Sequence, residues 1–536
     1  MGMADDVLRT DLFIGGTWRP AASGERFDVS DPGTEEVVAS VASAGAADAR
    51  AAAAAAAEAQ PEWAARAPRE RSEVLRRSWE LLVERADDLA RLITLENGKV
   101  LAEAKGEITY AAEFFRWFSE ETVRLTGELT RAPGGTSRIL VLHQPVGVAY
   151  LVTPWNFPAA MATRKIAPAL AAGCAVVLKP ATLTPLTALA VADVLHEAGV
   201  PAGVVNVVPG RSASTITAAV LEHDRVRKLS FTGSTEVGKK LIEQAAGRVL
   251  NVSMELGGNA PFIVLADADL DAAIDGAMIA KMRHNGETCT AANRFYVEAP
   301  VADAFAAKLA DAMGALPSGH GLVEGNRLGP LADAATRDKV AELVDSAVAA
   351  GAKALVGGET PGGTGFYYPA TVLTGVVADN PILEEEIFGP VAPIVSVADE
   401  AEAVRLANGT MMGLVAYVYT GDLAKGLRVA EALESGMVGL NEGIVCVPFW
   451  ALGGSEIVEC LNEPIHVLPE LGFQIPGVVG DGGDRALSWI EPIDQGGLRC
   501  NTNSHPQLPT HQFRDPLRPF PNADVANRPR KTRNGR

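Results

Sequence analysis

Apolar and polar positions along residues 45–121 recur at helical spacing in a stretch rich in Ala, Leu, Glu and Arg, which predicts a layer of helices. The alanine run at 51–57 belongs to that layer and is not filler. From residue 138 the period shortens. RILVLHQPVGVAYLV, residues 138–152, reads as two β-rich pieces around a Gln-Pro-Val-Gly turn. Short β-branched runs then alternate with helical ones: CAVVLK, LTALAVADVLHEAG, VVNVVPG, a helix to His223, KLSFTG and STEVGKKLIEQAA. That alternation predicts a parallel sheet covered by helices, and such sheets bind ligands at the carboxyl ends of their strands. A second α/β region follows over about 258–441, with helices at 270–282, 302–313 and 333–350. Beyond about residue 443 the periodicity fades. Eleven of the 33 Pro and three of the five Cys lie in the last 92 residues with a single Lys, so the composition there is no longer that of the preceding domains. We read at least the final 35 or so residues as a disordered extension.

Length and composition narrow the class. A chain of 536 residues suggests about two to four domains, and 48% hydrophobic with 21% charged residues suits a large globular core. The net charge of −19 disfavours nucleic acid and anionic membranes as partners, so an anionic substrate would need a local cluster of Arg. Five scattered Cys do not make a disulfide framework; they fit a reducing compartment and leave room for a reactive thiol. The start, MGMADDVLRT, lacks the apolar core of a secretory signal. KIAPALAAGCAVVLK, residues 165–179, is broken by Pro and Gly and falls short of the roughly 20 residues that span a bilayer. We expect a soluble, cytoplasmic protein.

Several stretches carry candidate chemistry. FTGSTEVGKK, residues 231–240, nearly matches a triphosphate loop, but Lys240 stands where a Ser or Thr would hold magnesium. Its glycines also do not follow the dinucleotide fingerprint. Cys289 sits among small and polar residues in HNGETCTAANR, a setting that suits a reactive thiol better than an inert one. Glu255, in NVSMELGGN, is an acid at a strand end before two glycines that let the backbone turn sharply. In TPWNFP, residues 153–158, Trp155 and Phe157 suit ordinary packing, whereas Asn156 offers an amide to a developing oxyanion.

TPWNFP, LKPA, FTGSTEVG, MELGGNAP, the GETC segment and EEIFGPV occur in the order and spacing of the aldehyde dehydrogenase superfamily, which this chain resembles over residues 153–391 and more weakly over about 12–443. The resemblance implies an α/β fold with a Rossmann-like cofactor domain (1–130 and 148–257), an oligomerisation hairpin (131–147), an α/β catalytic domain (258–444) and an atypical extension (445–536). It implies NADP or NAD as cofactor and no metal. FTGSTEVG would then be a dinucleotide loop, with Gly233, Ser234 and the following helix N-terminus at the pyrophosphate. Lys179 would bind the adenine-side ribose and Glu386 the nicotinamide ribose, with Trp155, Leu256 and Phe388 also at the cofactor. Thr182 lacks the acid that repels a 2′-phosphate, so it permits NADP. Cys289 would be the nucleophile, Asn156 the oxyanion donor and Glu255 the base for thioester hydrolysis, an acid generally lacking in relatives that pass the acyl group to coenzyme A.

Arg164 and Arg283 match positions that clamp the distal carboxylate in succinate-semialdehyde dehydrogenases. Succinate semialdehyde is therefore the leading substrate; glutarate semialdehyde and plain aliphatic aldehydes are the alternatives. The chain departs from the family twice. Ala291 replaces the second Cys that some relatives use for a redox disulfide. After Asn441 the family's glycine-arginine run and final strand are absent, as if another reading frame began near residues 445–452. This departure puts a homo-oligomer in question and sustains a rival reading, a non-catalytic nucleotide-binding protein. An NTPase is the third reading, disfavoured by Lys240.

Overall fold

The computed structural model describes residues 8–445 and the short segments 461–462 and 465–469. The helical layer is present as Ala46–Ala65, Pro68–Glu84, Ala86–Asn97 and Leu101–Thr122. The last of these packs on Pro68–Glu84 and on Pro158–Ala172. Every residue of Pro158–Ala172 is buried. Its small side chains allow that close packing. Pro158 at the first turn needs no N–H partner, and Gly173 at φ 92° ends the helix.

Two seven-stranded sheets form the body. The first runs Asn251–Glu255, Val226–Thr232, Val148–Val152, Ala175–Lys179, Val205–Val207, Leu12–Ile14 and Thr17–Arg19. Its first five strands are parallel, and the last two are an antiparallel hairpin turning at Gly15 and Gly16, both at positive φ, which the reading of periodicity did not single out. Register aligns the motifs. Val152 pairs with Lys179 and with Phe231, and Thr232 pairs with Glu255, so four motif segments end at one edge.

The second sheet runs Lys353–Val356, Thr371–Thr374, Val391–Val397, Ala292–Glu298, Ala260–Val264, Val415–Tyr419 and Met437–Leu440. All but the first strand are parallel. The chain passes from Glu255 through Gly257 and Gly258 straight into Ala260–Val264. The carboxyl edge of the first sheet therefore meets the amino edge of the second. The carboxyl-end rule holds for the first sheet alone, because the second contributes the loops that precede its strands.

A smaller antiparallel sheet joins Glu128–Arg131, Ser137–Val141 and Ile465–Pro469, and Gln144–Pro145 pairs with Leu461–Asn462. Within the extension, Ile465–Pro469 makes a five-residue ladder with Ser137–Val141 of its own chain. Its apolar run, IHVLP, is too short to stand out among prolines. The remainder of the extension, with its expected disorder, lies outside the described residues.

Candidate active site

Between the two sheet edges lies a cleft of about 1060 Å³. Asn156, Trp155, Arg164, Gly233, Ser234, Glu255, Leu256, Arg283, Cys289, Glu386 and Phe388 all line it. Lys179 and Thr182 stand outside that lining. Lys179 ends its strand in register with Val152.

The Cys289 loop is held in an unusual backbone course. After helix Leu270–Met282, residues His284, Asn285 and Gly286 take φ of 49°, 54° and 76°. Positive φ is costly for residues with a Cβ and persists where surrounding bonds enforce it. Here the His284 N–H donates to both carboxylate oxygens of Glu103 at 2.9 and 3.0 Å. The Asn285 amide donates to Pro330 O at 2.9 Å and its oxygen accepts from Gly329 N at 2.8 Å. Burial pushes the Glu287 carboxyl well above the usual range, although Glu287 Oε1 accepts from Ala332 N at 3.0 Å.

Two glycines bring the acid strand to this loop. Neither Gly257 nor Gly258 has positive φ, so the expected sharp turn is not their role. A Cβ at Gly258 would fall 2.4 Å from Cys289 O, and one at Gly257 would fall 2.6 Å from Glu386 Oε2. They serve close approach. Gly258 N also donates to Glu386 Oε1 at 3.1 Å, which orients that carboxylate.

Electrostatics decide the state of the Cys289 thiol. The Cys289 thiol is pushed up to about 11, first by burial and then by the Glu386 carboxylate; Arg164 pulls it down, Glu255 raises it and Arg283 lowers it. Two acids and two guanidiniums oppose each other, and desolvation wins. Near neutrality the thiol is protonated. Beside it the buried Asn156 amide donates to Glu287 O at 3.0 Å, which ties the two loops together. Arg283 Nη2 donates to Thr290 Oγ1 at 2.9 Å, and its guanidinium lies 5.9 Å over the Phe157 ring. Arg164 is buried, 5.8 Å over Phe114.

The other arm of the cleft fits a dinucleotide. Ser234 is exposed and caps helix Thr235–Ala246, its hydroxyl accepting from Val237 N at 3.4 Å. Free amides at such an end favour phosphate. Lys179 is buried and pushed down to about 8 by that burial; its ammonium donates to Pro180 O at 3.0 Å, and its remaining N–H groups suit ribose hydroxyls. Thr182 Oγ1 donates to Gly210 O at 3.3 Å. Phe388 is held at φ 57°, its ring 5.3 Å from and perpendicular to that of Trp155. Lys339 donates to Glu386 O at 2.9 Å and also lines the cleft.

Reasoning from sequence missed one group. In ENGK, residues 96–99, Asn97 Nδ2 donates to Trp155 O at 3.1 Å and Lys99 Nζ to Asn156 O at 2.8 Å. The local pattern signals only a helix end, and Gly98 at φ 91° is indeed a C-cap.

A thiol and an acid that line one cleft, together with a helix N-terminus that follows a parallel strand, fit a thiol-dependent oxidoreductase of dinucleotide-binding type. Comparison with known proteins makes this specific. The sequence profile of the aldehyde dehydrogenase family matches residues 18–456, and the chain belongs to that family. Members oxidise aldehydes to acids through a cysteine, and the expected fold and enzyme class are met. A succinate-semialdehyde dehydrogenase of Paenarthrobacter nicotinovorans is 54% identical over 418 residues, 78% of this chain and 93% of the relative. A glutarate-semialdehyde dehydrogenase of Pseudomonas putida is 49% identical over 448 residues, 84% and 93% of the two chains. Among solved structures, an Escherichia coli NADP-dependent enzyme superposes with a TM-score of 0.84 at 45% identity, covering 87% of this chain and 99% of that one. Among the described residues no helix is long and apolar enough to cross a membrane.

Proposed function

We propose that this aldehyde dehydrogenase acts on a short semialdehyde bearing a distal carboxylate, with succinate semialdehyde as the leading substrate and NADP or NAD as hydride acceptor. The observation that carries the substrate class is the placement of Arg164 and Arg283 in one cleft with Cys289. Both cations act on the thiol, so a substrate carboxylate they hold would sit a short chain length from the sulfur. The uncharged Thr182 near Lys179 supports NADP.

In this reading Cys289 gives its proton to solvent water and its sulfur bonds to the aldehyde carbon, while the carbonyl pair moves onto oxygen. The Asn156 amide and the Cys289 backbone N–H hold that oxyanion. A nicotinamide held by Glu386 and Phe388 would supply the acceptor for the hydride released as the C–O double bond re-forms. A thioester remains on Cys289. Glu255 then takes a proton from water, the hydroxide adds to the thioester, and the C–S bond breaks to release the acid and the thiolate.

The glutarate-semialdehyde dehydrogenase of Pseudomonas putida, at 49% identity, supports a second reading, one methylene longer. We also infer a cytoplasmic homo-oligomer, with the arm Glu128–Arg131 and Ser137–Val141 as its contact surface. The test is reduction of NADP and of NAD by purified full-length protein with succinate semialdehyde, glutarate semialdehyde and butanal. Preference for a semialdehyde supports the clamp. Equal rates with butanal remove it, and cofactor binding without turnover favours the non-catalytic rival.

A further inference from the structure

Among the described residues the Asn156 side chain makes one hydrogen bond, to Glu287 O, yet an oxyanion donor must be held to within about 0.5 Å of its working position. Its backbone supplies the missing constraint. Trp155 O accepts from Asn97 Nδ2 at 3.1 Å and from Thr184 Oγ1 at 3.3 Å, and Asn156 O accepts from Lys99 Nζ at 2.8 Å. Lys99 is ion-paired with Glu107, and both side chains are at most 1% exposed. The other oxygen of Glu107 accepts from Ala159 N at 2.9 Å and Ala160 N at 3.2 Å, the first amides of helix Pro158–Ala172. The Lys99 ammonium also lies 4.1 Å over the Phe157 ring. Residues 155–160 are thus gripped on both sides of Asn156 by side chains from 97–107.

Stability alone does not account for this arrangement. Taking two charges out of water costs several kcal/mol per ion, and a well-packed apolar pair is often as stable or more so. A buried ion pair with further hydrogen bonds does define a unique geometry. We propose that Lys99, with Asn97 and Glu107, forms a positioning device that holds the Asn156 amide at the oxyanion site through the carbonyls of Trp155 and Asn156. This rests on Asn156 being the oxyanion donor.

The test is a double-mutant cycle on the full-length enzyme. Lys99→Met should lower kcat about 10- to 100-fold with cofactor affinity unchanged, since a misplacement near 1 Å costs about that much. In an Asn156→Ala background the same change should cost almost nothing further, because nothing is left to position. If Lys99→Met does not fold, Lys99→Met/Glu107→Gln leaves no buried charge and keeps an acceptor for Ala159 and Ala160. It should show the same signature. The proposal is overturned if kcat is unchanged, or if the loss recurs in full in the Asn156→Ala background. Asn156→Ala with normal kcat would sink the oxyanion reading itself, and this inference with it. A large Asn156→Ala loss that multiplies with that of Lys99 would sink only this inference.

Discussion

The two arms of the cleft are built on different physics. The arm proposed for the dinucleotide ends in an exposed helix N-terminus and a serine cap, where backbone amides are the groups on offer to a phosphate. The reacting arm is crosslinked below the surface, with Asn156 tied to the Cys289 loop, Glu103 and Asn285 holding a backbone at positive φ, and Lys99 with Glu107 beneath. The first arm relies on groups that every helix start possesses. The second depends on side chains from distant parts of the chain, so single changes there should cost far more.

Variants can break or sharpen that contrast. Cys289→Ala should lower turnover by about 10⁴-fold or more while NADP binding measured by fluorescence persists; turnover at the normal rate would remove Cys289 from the chemistry. Glu255→Gln should slow steady turnover by about 10²- to 10⁴-fold yet allow one hydride transfer per site, seen as a stopped-flow burst. Absence of the burst would place the base elsewhere. Arg283→Ala should cut kcat/KM for succinate semialdehyde about 10- to 100-fold and leave butanal nearly untouched, since a lost charge-assisted hydrogen bond is worth about 1.5–3 kcal/mol. Equal losses would mean that the guanidinium serves the site's structure and not the substrate carboxylate.

A pH experiment probes the reacting arm directly. Without cofactor, alkylation of Cys289 by iodoacetamide should be slow at neutral pH and rise toward about 11, because the neutral thiol is the form favoured by burial. Glu386→Gln removes a charge that raises the thiol, so its profile should move to lower pH; Arg283→Ala removes one that lowers it and should move the profile up. Opposite movements would refute the balance of charges described here. The smallest effect belongs to the other arm: Ser234→Ala should weaken NADP binding only about 2- to 10-fold, the worth of one ordinary hydrogen bond.

How much of this was legible varies by residue. The helices at 270–282 and 333–350 are present as Leu270–Met282 and Ala334–Ala349, because their apolar periodicity is long and Asp333 caps the second. Asn156, Glu255 and Cys289 line one cleft because their motifs lie at strand ends or just before a strand, whereas Arg164 and Arg283 reach it from within a helix and from a helix end. Gly257 and Gly258 were legible as glycines but not by purpose, since close approach to Glu386 and Cys289 involves residues at least thirty positions away. Lys99 and Glu107 gave no local signal. A lysine after a helix and a glutamate within the next one usually face solvent.

The sequence by itself determined the class of fold and the chemistry of the site. Period and strand-end motifs are short-range properties, and the residues proposed as nucleophile, base and amide donor each sit in a motif whose residues are adjacent in the chain. The tertiary structure alone decided the state of those groups. Whether a thiol is protonated depends on how much water and which charges surround it, and the charges at Cys289 come from residues 164, 255, 283 and 386. The hold on Asn156 likewise exists only where residues 97–107 are packed beneath it, a contact that no local pattern encodes.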